Sequence, residues 1–203
     1  MKQQAKNSGL GCLQLNAPLK PSHRILVYIA NKPNMPEYRH CNSVQAMTSG
    51  EITAIGLACG NGWRKVFNVY SKLLYALDAN DFSFKTLAPT WQTYRDDFLL
   101  QQGSATALLF SAPLLLKELS KELSKESQAN SHCIHIISGK TYAKTLIDSG
   151  LLNVSLIWID EYFAIDVQKR LIVCPYFDYR QLSNQKIEQL AKLMSGLVNQ
   201  KTH

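Results

Sequence analysis

Ser138, Gly139, Lys140 and Thr141 stand in the order that ends a phosphate-binding loop. Such a loop needs another glycine five residues before Gly139, and that position is Ile134. The full loop is therefore absent. What remains is a helix start whose free N–H groups, helped by Lys140, could hold one phosphate. The plainer alternative is a tight turn that needs a glycine. Asp160 and Glu161 at a strand end, and Asp178 in a later loop, are candidate general bases. Solvated turn acids are the alternative for them.

The histidines are His23, His40, His132, His135 and His203. Neighbours on a strand point to opposite faces, so His132 and Cys133 diverge. No CxxC or HxxxH partner accompanies them, and a metal site is not expected. No GxSxG elbow occurs either, which leaves a hydrolase triad without support. No cofactor is expected.

The elements that would position these residues follow from the apolar pattern. Ile25–Ile29 is a continuous branched run, the mark of a strand buried on both faces. Residues 34–60 have no clean period and are expected as a long loop, with room for a short helix. Asn61–Leu77 carries Trp63, Val66, Phe67, Tyr70, Leu73, Leu74 and Leu77 on one stripe, a helix with Asn61 as its cap. Ala105–Phe110 reads as a second buried strand. A helix is expected from Pro113 through the LLLKELSKELSKES run, its lysines and glutamates nearly cancelling. Cys133–Gly139 is a strand, followed by a helix over Thr141–Ile147 with Tyr142, Ala143, Leu146 and Ile147 inward. Val154–Ile159, Tyr162–Ile165 and Leu171–Cys174 read as strands, the last two joined by the polar turn Asp166–Arg170. Ser183 caps a final helix whose inner stripe is Ile187, Leu190, Ala191, Met194, Leu197 and Val198.

This alternation predicts an α/β three-layer sandwich with a mostly parallel central sheet and helices on both faces. Ligands in such folds bind outside the carboxyl ends of the strands. The loops Asn31–Asn34, Ser138–Thr141 and Pro175–Arg180 are expected there.

Length and charge set the frame. A chain of 203 residues suits one domain, here 25–203, preceded by residues 1–24 as a basic arm or strap. The arm holds Lys2, Lys6, Lys20 and Arg24 without an acid, so it carries +4 of the net +7. Such an arm favours phosphates or an acidic partner, or serves only as a solubilising tail. No run approaches the roughly 18 apolar residues of a membrane span, and the N-terminus lacks the apolar centre of a secretory signal. The five cysteines are odd in number and scattered, which suits a soluble chain in a reducing cytoplasm.

The order of parts resembles the uracil-DNA glycosylase superfamily. ILVYIANKP, residues 25–33, is similar to a first strand ending in a GxNPG-like motif, with Asn31 at the asparagine that positions the attacking water. Lys32 intervenes before Pro33, and the motif's glycines are missing. IHIISGKTYAKTL looks like the family's internal strand, glycine and helix. RLIVCPYFDYRQLSNQKIEQLAKLM is similar in shape to its last strand, HPS loop and closing helix, with Tyr176, Phe177, Asp178 and Tyr179 in place of the loop's histidine and serine. The resemblance implies a glycosylase-like domain binding nucleic acid or a nucleotide, with little or no base excision. Asn31 and Asp178 are its candidate catalytic residues. Tyr38, Ser138, Lys140, Tyr176, Phe177, Tyr179 and Arg180 are its candidate ligand contacts, the aromatic ones as stacking faces. Two other classes stay open: a protein-interaction domain, and an unrelated small-molecule enzyme of doubly wound type.

Overall fold

In the computed structural model, residues 7–12, 23–113 and 133–199 are described. The helix expected after Pro113, and His132, lie outside them.

The sheet is built on β2 (Arg24–Ile29), every residue of which is buried. A strand sends alternate side chains to opposite faces, so an unbroken apolar run must be covered twice. Ile25, Val27 and Ile29 enter one apolar cluster, and Leu26 and Tyr28 enter a second on the other face. β4 (Thr106–Leu109) and β5 (Cys133–Ser138) flank β2, both parallel to it. β8 (Leu171–Cys174) lies parallel outside β5. The register sets Ile29 beside Ser138, and Ser138 beside Cys174, so three strands finish at one level.

Antiparallel pairs join on both flanks, so the sheet is mixed. On one side β7 (Ala164–Asp166) runs antiparallel to β8, and β6 (Ile157–Trp158) antiparallel to β7. The reason is connection length. A turn as short as the one after Asp166 can only reverse the chain, because parallel neighbours need a crossover of a dozen residues or more. The Asp166 carboxylate shapes that turn by accepting from the N–H groups of Lys169 (3.1 Å) and Ser155 (2.8 Å). On the other side β1 (Gly9–Gly11) pairs antiparallel with β4 and parallel with β3 (Val44–Gln45). The full order is β3-β1-β4-β2-β5-β8-β7-β6.

Part of the expected arm is thus a strand of the sheet. β1 has almost no side chain, and that is what lets it in. A Cβ on Gly11, at φ +126°, would come within 2.2 Å of the Thr106 carbonyl oxygen.

Residues 34–60 are more ordered than their missing period suggests. They contain α1 (Pro36–Arg39), β3 and α2 (Glu51–Ala58). α2 buries one face through Ile52, Ile55 and Gly56, but the exposed Ala54, Leu57 and Ala58 are apolar as well, which hides the period. Its start is fixed by Glu51, whose carboxylate accepts from the Thr48 N–H (2.8 Å) and hydroxyl (3.1 Å).

α3 (Asn61–Ala76) matches the expected span, with Gly60 and not Asn61 in the capping position. Its stripe of Trp63, Val66, Phe67, Tyr70, Leu73 and Leu74 is buried. Burial of each such side chain is worth about 1.5–3 kcal/mol. The Tyr70 hydroxyl lies 2.9 Å from the Ile25 carbonyl and 3.2 Å from that of Ala107, tying α3 to β2 and β4 at once. α4 (Trp91–Asp97) is capped by Thr90, whose hydroxyl accepts from the Thr93 N–H at 3.1 Å.

α5 (Lys140–Asp148) lies on the opposite face, its Ala143 and Leu146 in the second cluster. Ile147, expected inward, is 39% exposed. α6 (Asn184–Asn199) returns to the α3 face and buries Ile187, Leu190, Ala191, Met194 and Leu197. Among the described residues no helix is long and apolar enough to cross a membrane.

Candidate functional site

Three strands ending at one level leave three loops at one edge. A cleft of about 650 Å³ opens there. Ala30 and Asn31 enter from β2, Ser138–Tyr142 from β5, and Pro175, Tyr176 and Gln181 from β8, while Glu161 and Tyr162 close it from the β6–β7 turn.

Backbone bonds fix this edge. The Gly139 N–H donates to the Cys174 carbonyl (2.9 Å), and the buried Ser138 hydroxyl accepts from the Phe177 N–H (3.0 Å). The loop after β8 is thereby tied to the end of β5. Gly139 then turns the chain into α5 with φ +111° and ψ 120°, a conformation open to glycine alone. The first intrahelical bond is Ala143 N–H to the Gly139 carbonyl. The N–H groups of Lys140, Thr141 and Tyr142 precede that bond and have no helical acceptor. All three residues line the cleft.

A Cβ at Gly139 would meet Tyr142 and Tyr176 only at 3.9 Å, ordinary contact, so the constraint there is the backbone angle. Gly139→Ala is expected to lose about 1–3 kcal/mol of stability from this strain. Urea unfolding measures it. A variant within ~0.3 kcal/mol of wild type would show that the turn is not imposed.

The walls are amphipathic. Asn31 lies near the Tyr176 hydroxyl. Burial pushes the Tyr176 phenol up, the nearby Asn31 side chain opposes the rise, and the Asp178 charge adds to it. Burial also raises Tyr142. Tyr162 is raised by the neighbouring Glu161 carboxylate. All three phenols therefore keep their protons near neutral pH. Lys140 Nζ stands 4.5 Å from the centre of the Trp158 ring at the rim. The turn that carries Tyr162 is held by Asp160, which accepts from the N–H groups of Tyr162 (2.7 Å) and Phe163 (2.8 Å) and from Gln189 (2.6 Å). Desolvation works against the Asp160 charge, but these bonds outweigh it and hold its carboxyl below the usual range.

Of the residues expected at a site, Asn31, Ser138, Gly139, Lys140, Thr141, Glu161 and Tyr176 meet in this cleft. The others lie elsewhere. Asp178, expected as a catalytic acid or base, is turned toward α3. Its carboxylate takes Arg180 Nη2 at 2.8 Å and Lys65 Nζ at 3.1 Å. Arg180 foremost, with Lys65, holds it well below the usual carboxylate range. A carboxylate so placed is a structural anion and a weak base. Arg180 is its partner, and Tyr179 stands outside at 58% exposure with Lys65 4.9 Å from its ring centre. Phe177 and Tyr38 were expected as stacking faces, and both are core. Phe177 is fully buried and sits edge-on to Tyr70, centroids 5.7 Å apart. The buried Tyr38 hydroxyl donates to Glu51.

The lining residues that sequence reasoning left out of the site include Tyr142, Thr145, Tyr162 and Gln181. Tyr142 had a signal: it falls in the first turn of the helix that Gly139 opens, where a side chain flanks the N-terminus. Tyr162 had none, because its pattern was that of a strand. Among the described residues no group of three or more His, Cys, Asp or Glu is placed to hold a metal ion. The chemistry available at the cleft is that of Asn31, neutral phenols, one lysine, a helix N-terminus and Glu161.

A family model, DUF6942, described as a family of unknown function, matches residues 19–195. The chain belongs to the DUF6942 family. The DUF6942 match takes in every cleft residue from Ala30 to Gln181. It does not reach β1, the glycine strand at Gly9–Gly11. No curated protein matches the chain, and no solved structure does.

Proposed function

We propose that the cleft binds a nucleotide, or a base and its phosphate in a nucleic-acid strand, with little or no base-excision activity. One observation carries this reading: Asn31, the N-terminus of α5 with Lys140, and the rings of Tyr142, Tyr162 and Tyr176 border one cleft of about 650 Å³. Phosphate suits a helix N-terminus beside a lysine. A base needs an aromatic face and polar groups for its edge. The volume falls within the roughly 300–1,000 Å³ of ligand pockets. The resemblance to the uracil-DNA glycosylases adds support, since Asn31 falls at the family's water-positioning asparagine.

Weak excision follows from what surrounds Asn31. Breaking an N-glycosidic bond requires stabilising the charge that leaves on the base. The family's histidine is absent, and Tyr176 offers only a neutral phenol near Asn31. Glu161 adds negative charge to the same cleft.

The test is titration at low salt with uridine monophosphate, inorganic phosphate and a short single-stranded DNA, followed by calorimetry. Asn31→Ala and Lys140→Ala are each expected to weaken nucleotide binding about tenfold, or 1.4 kcal/mol. Tyr179→Ala, outside the cleft, should leave it unchanged. Absence of binding by all three probes at millimolar concentration would remove the reading. Robust release of uracil from DNA, lost in Asn31→Ala, would replace it with an active glycosylase.

A further inference from the structure

Resting on the nucleotide reading above, we propose that Glu161 selects ribose, so that the cleft takes ribonucleotides in preference to deoxyribonucleotides. The turn between β6 and β7 carries two adjacent acids, and the fold uses them differently. Asp160 builds the turn: its Oδ1 accepts from the N–H groups of Tyr162 and Phe163, and its Oδ2 accepts from Gln189. Glu161 is exposed and lines the cleft. Among the described residues it forms no ion pair. The two ammonium groups on this side of the cleft are engaged elsewhere. Lys186 Nζ lies 3.3 Å from the centre of the Tyr162 ring and 3.1 Å from the Gln181 carbonyl oxygen. Lys140 Nζ faces the Trp158 ring.

The wall that holds Glu161 is fixed before a ligand arrives. Gln189 ties the turn to α6, and Lys186, also on α6, joins Tyr162 of the turn to Gln181 of the loop after β8. Tyr162 and Gln181 both line the cleft beside Glu161.

The charge of Glu161 sets the ligand's orientation. A phosphate is repelled by this carboxylate and attracted by Lys140 and the N–H groups that open α5, so the phosphate end lies at the α5 wall. An ionised carboxylate accepts hydrogen bonds and donates none, so the ligand must bring a hydroxyl or N–H to it. Asn31 can both donate to and accept from the edge of a base. The sugar joins base to phosphate, and its hydroxyls are the donors left for Glu161. The vicinal hydroxyls of ribose can both donate to one carboxylate, whereas deoxyribose lacks one of them. In a strand the 2′-hydroxyl is what separates RNA from DNA. A site built to bond a hydroxyl rejects the analogue without it, because its polar group is then left unpaired.

Calorimetric titration of the full chain at low salt, with uridine monophosphate and with 2′-deoxyuridine monophosphate, tests this. Wild type is expected to bind the ribonucleotide about tenfold tighter, the low end for a hydrogen bond to a charged group. Glu161→Ala should bring the ratio below about twofold. Glu161→Gln keeps the shape without the charge, should narrow the ratio in the same direction, and decides the matter if Glu161→Ala fails to fold by circular dichroism. Asn31→Ala acts on the base and should weaken both nucleotides while preserving the ratio. Equal Kd values for the two nucleotides in wild type overturn the proposal and leave the nucleotide reading standing. So does a ratio that survives unchanged in a folded Glu161 variant. Binding of neither nucleotide removes the nucleotide reading, and the selection of ribose with it.

Discussion

Phe177→Ala should cost about 3–5 kcal/mol, the range for truncating a fully buried aromatic ring. Tyr179→Ala, two residues on, should cost no more than about 1 kcal/mol, the worth of an exposed cation–π contact. The contrast comes from where the loop points each ring. Phe177 is held inward by its own backbone, through the Ser138 hydroxyl, and its ring meets Tyr70 beneath the sheet end. Tyr70 in turn bonds the carbonyls of Ile25 and Ala107, so the cavity would open beside the hydroxyl that joins α3 to two strands. Tyr179 touches Lys65 from outside and is 58% exposed. Urea midpoints of both variants check the pair. Equal effects would mean that Phe177 is not part of the core.

The second large effect is a loss of stability in mild acid, and it belongs to His135. This residue is buried on β5 with its Nδ1 2.8 Å from the Tyr28 hydroxyl. Burial raises the Tyr28 phenol well above its ordinary value, so it keeps its proton and donates. Nδ1 then accepts, which places the ring hydrogen on Nε2. Burial first, and the nearby Arg170 charge second, push the His135 pKa down to about 4 from the ordinary 6.5. The unfolded chain takes up a proton below pH 6.5, whereas the folded chain resists until about pH 4. Stability is therefore fully present above pH 6.5 and falls as the pH drops from there to about 4. The loss is on the order of 3 kcal/mol, at about 1.4 kcal/mol per pKa unit. Carboxylates titrate in part of the same window, so the measurement is a difference between two proteins. Urea unfolding from pH 7.5 to 4 should give a shallower slope in Tyr28→Phe/His135→Leu, which removes the titrating ring together with its partner. Parallel slopes would show that His135 is not held neutral.

The strands and the place of the cleft were legible because they depend on local pattern. Ile25–Ile29 is apolar without interruption, and only a strand covered on both faces needs that. The parallel order then puts Asn31, Ser138, Lys140 and Tyr176 at one edge through the register of β2, β5 and β8. The roles that failed were those set by a distant partner. Asp178 is held by Lys65 as well as by its neighbour Arg180, Phe177 by Tyr70 and Tyr38 by Glu51. A tyrosine or aspartate in a loop has the same local signature whether it faces a ligand or closes the core. β1 was hidden for another reason: Gly9 and Gly11 have no side chain to reveal a face, and their fit depends on how closely the backbone of β4 approaches.

The strand order also imposes a timetable on the nascent chain. β1 and β2 leave the ribosome before β4, yet they never pair with each other; β4 lies between them. Until residues 106–109 have emerged, β2 has neither of its neighbours, and β1 has just the two-residue contact with β3. At about 5–20 residues per second, translation takes on the order of 5–20 s to reach β4 after β1. Through that interval the unbroken run Ile25–Ile29 stays without its strand partners, and α3 can form but has no sheet to settle on. The central sheet closes only when β5 and β8 have followed β4, because each supplies a parallel neighbour that local sequence cannot.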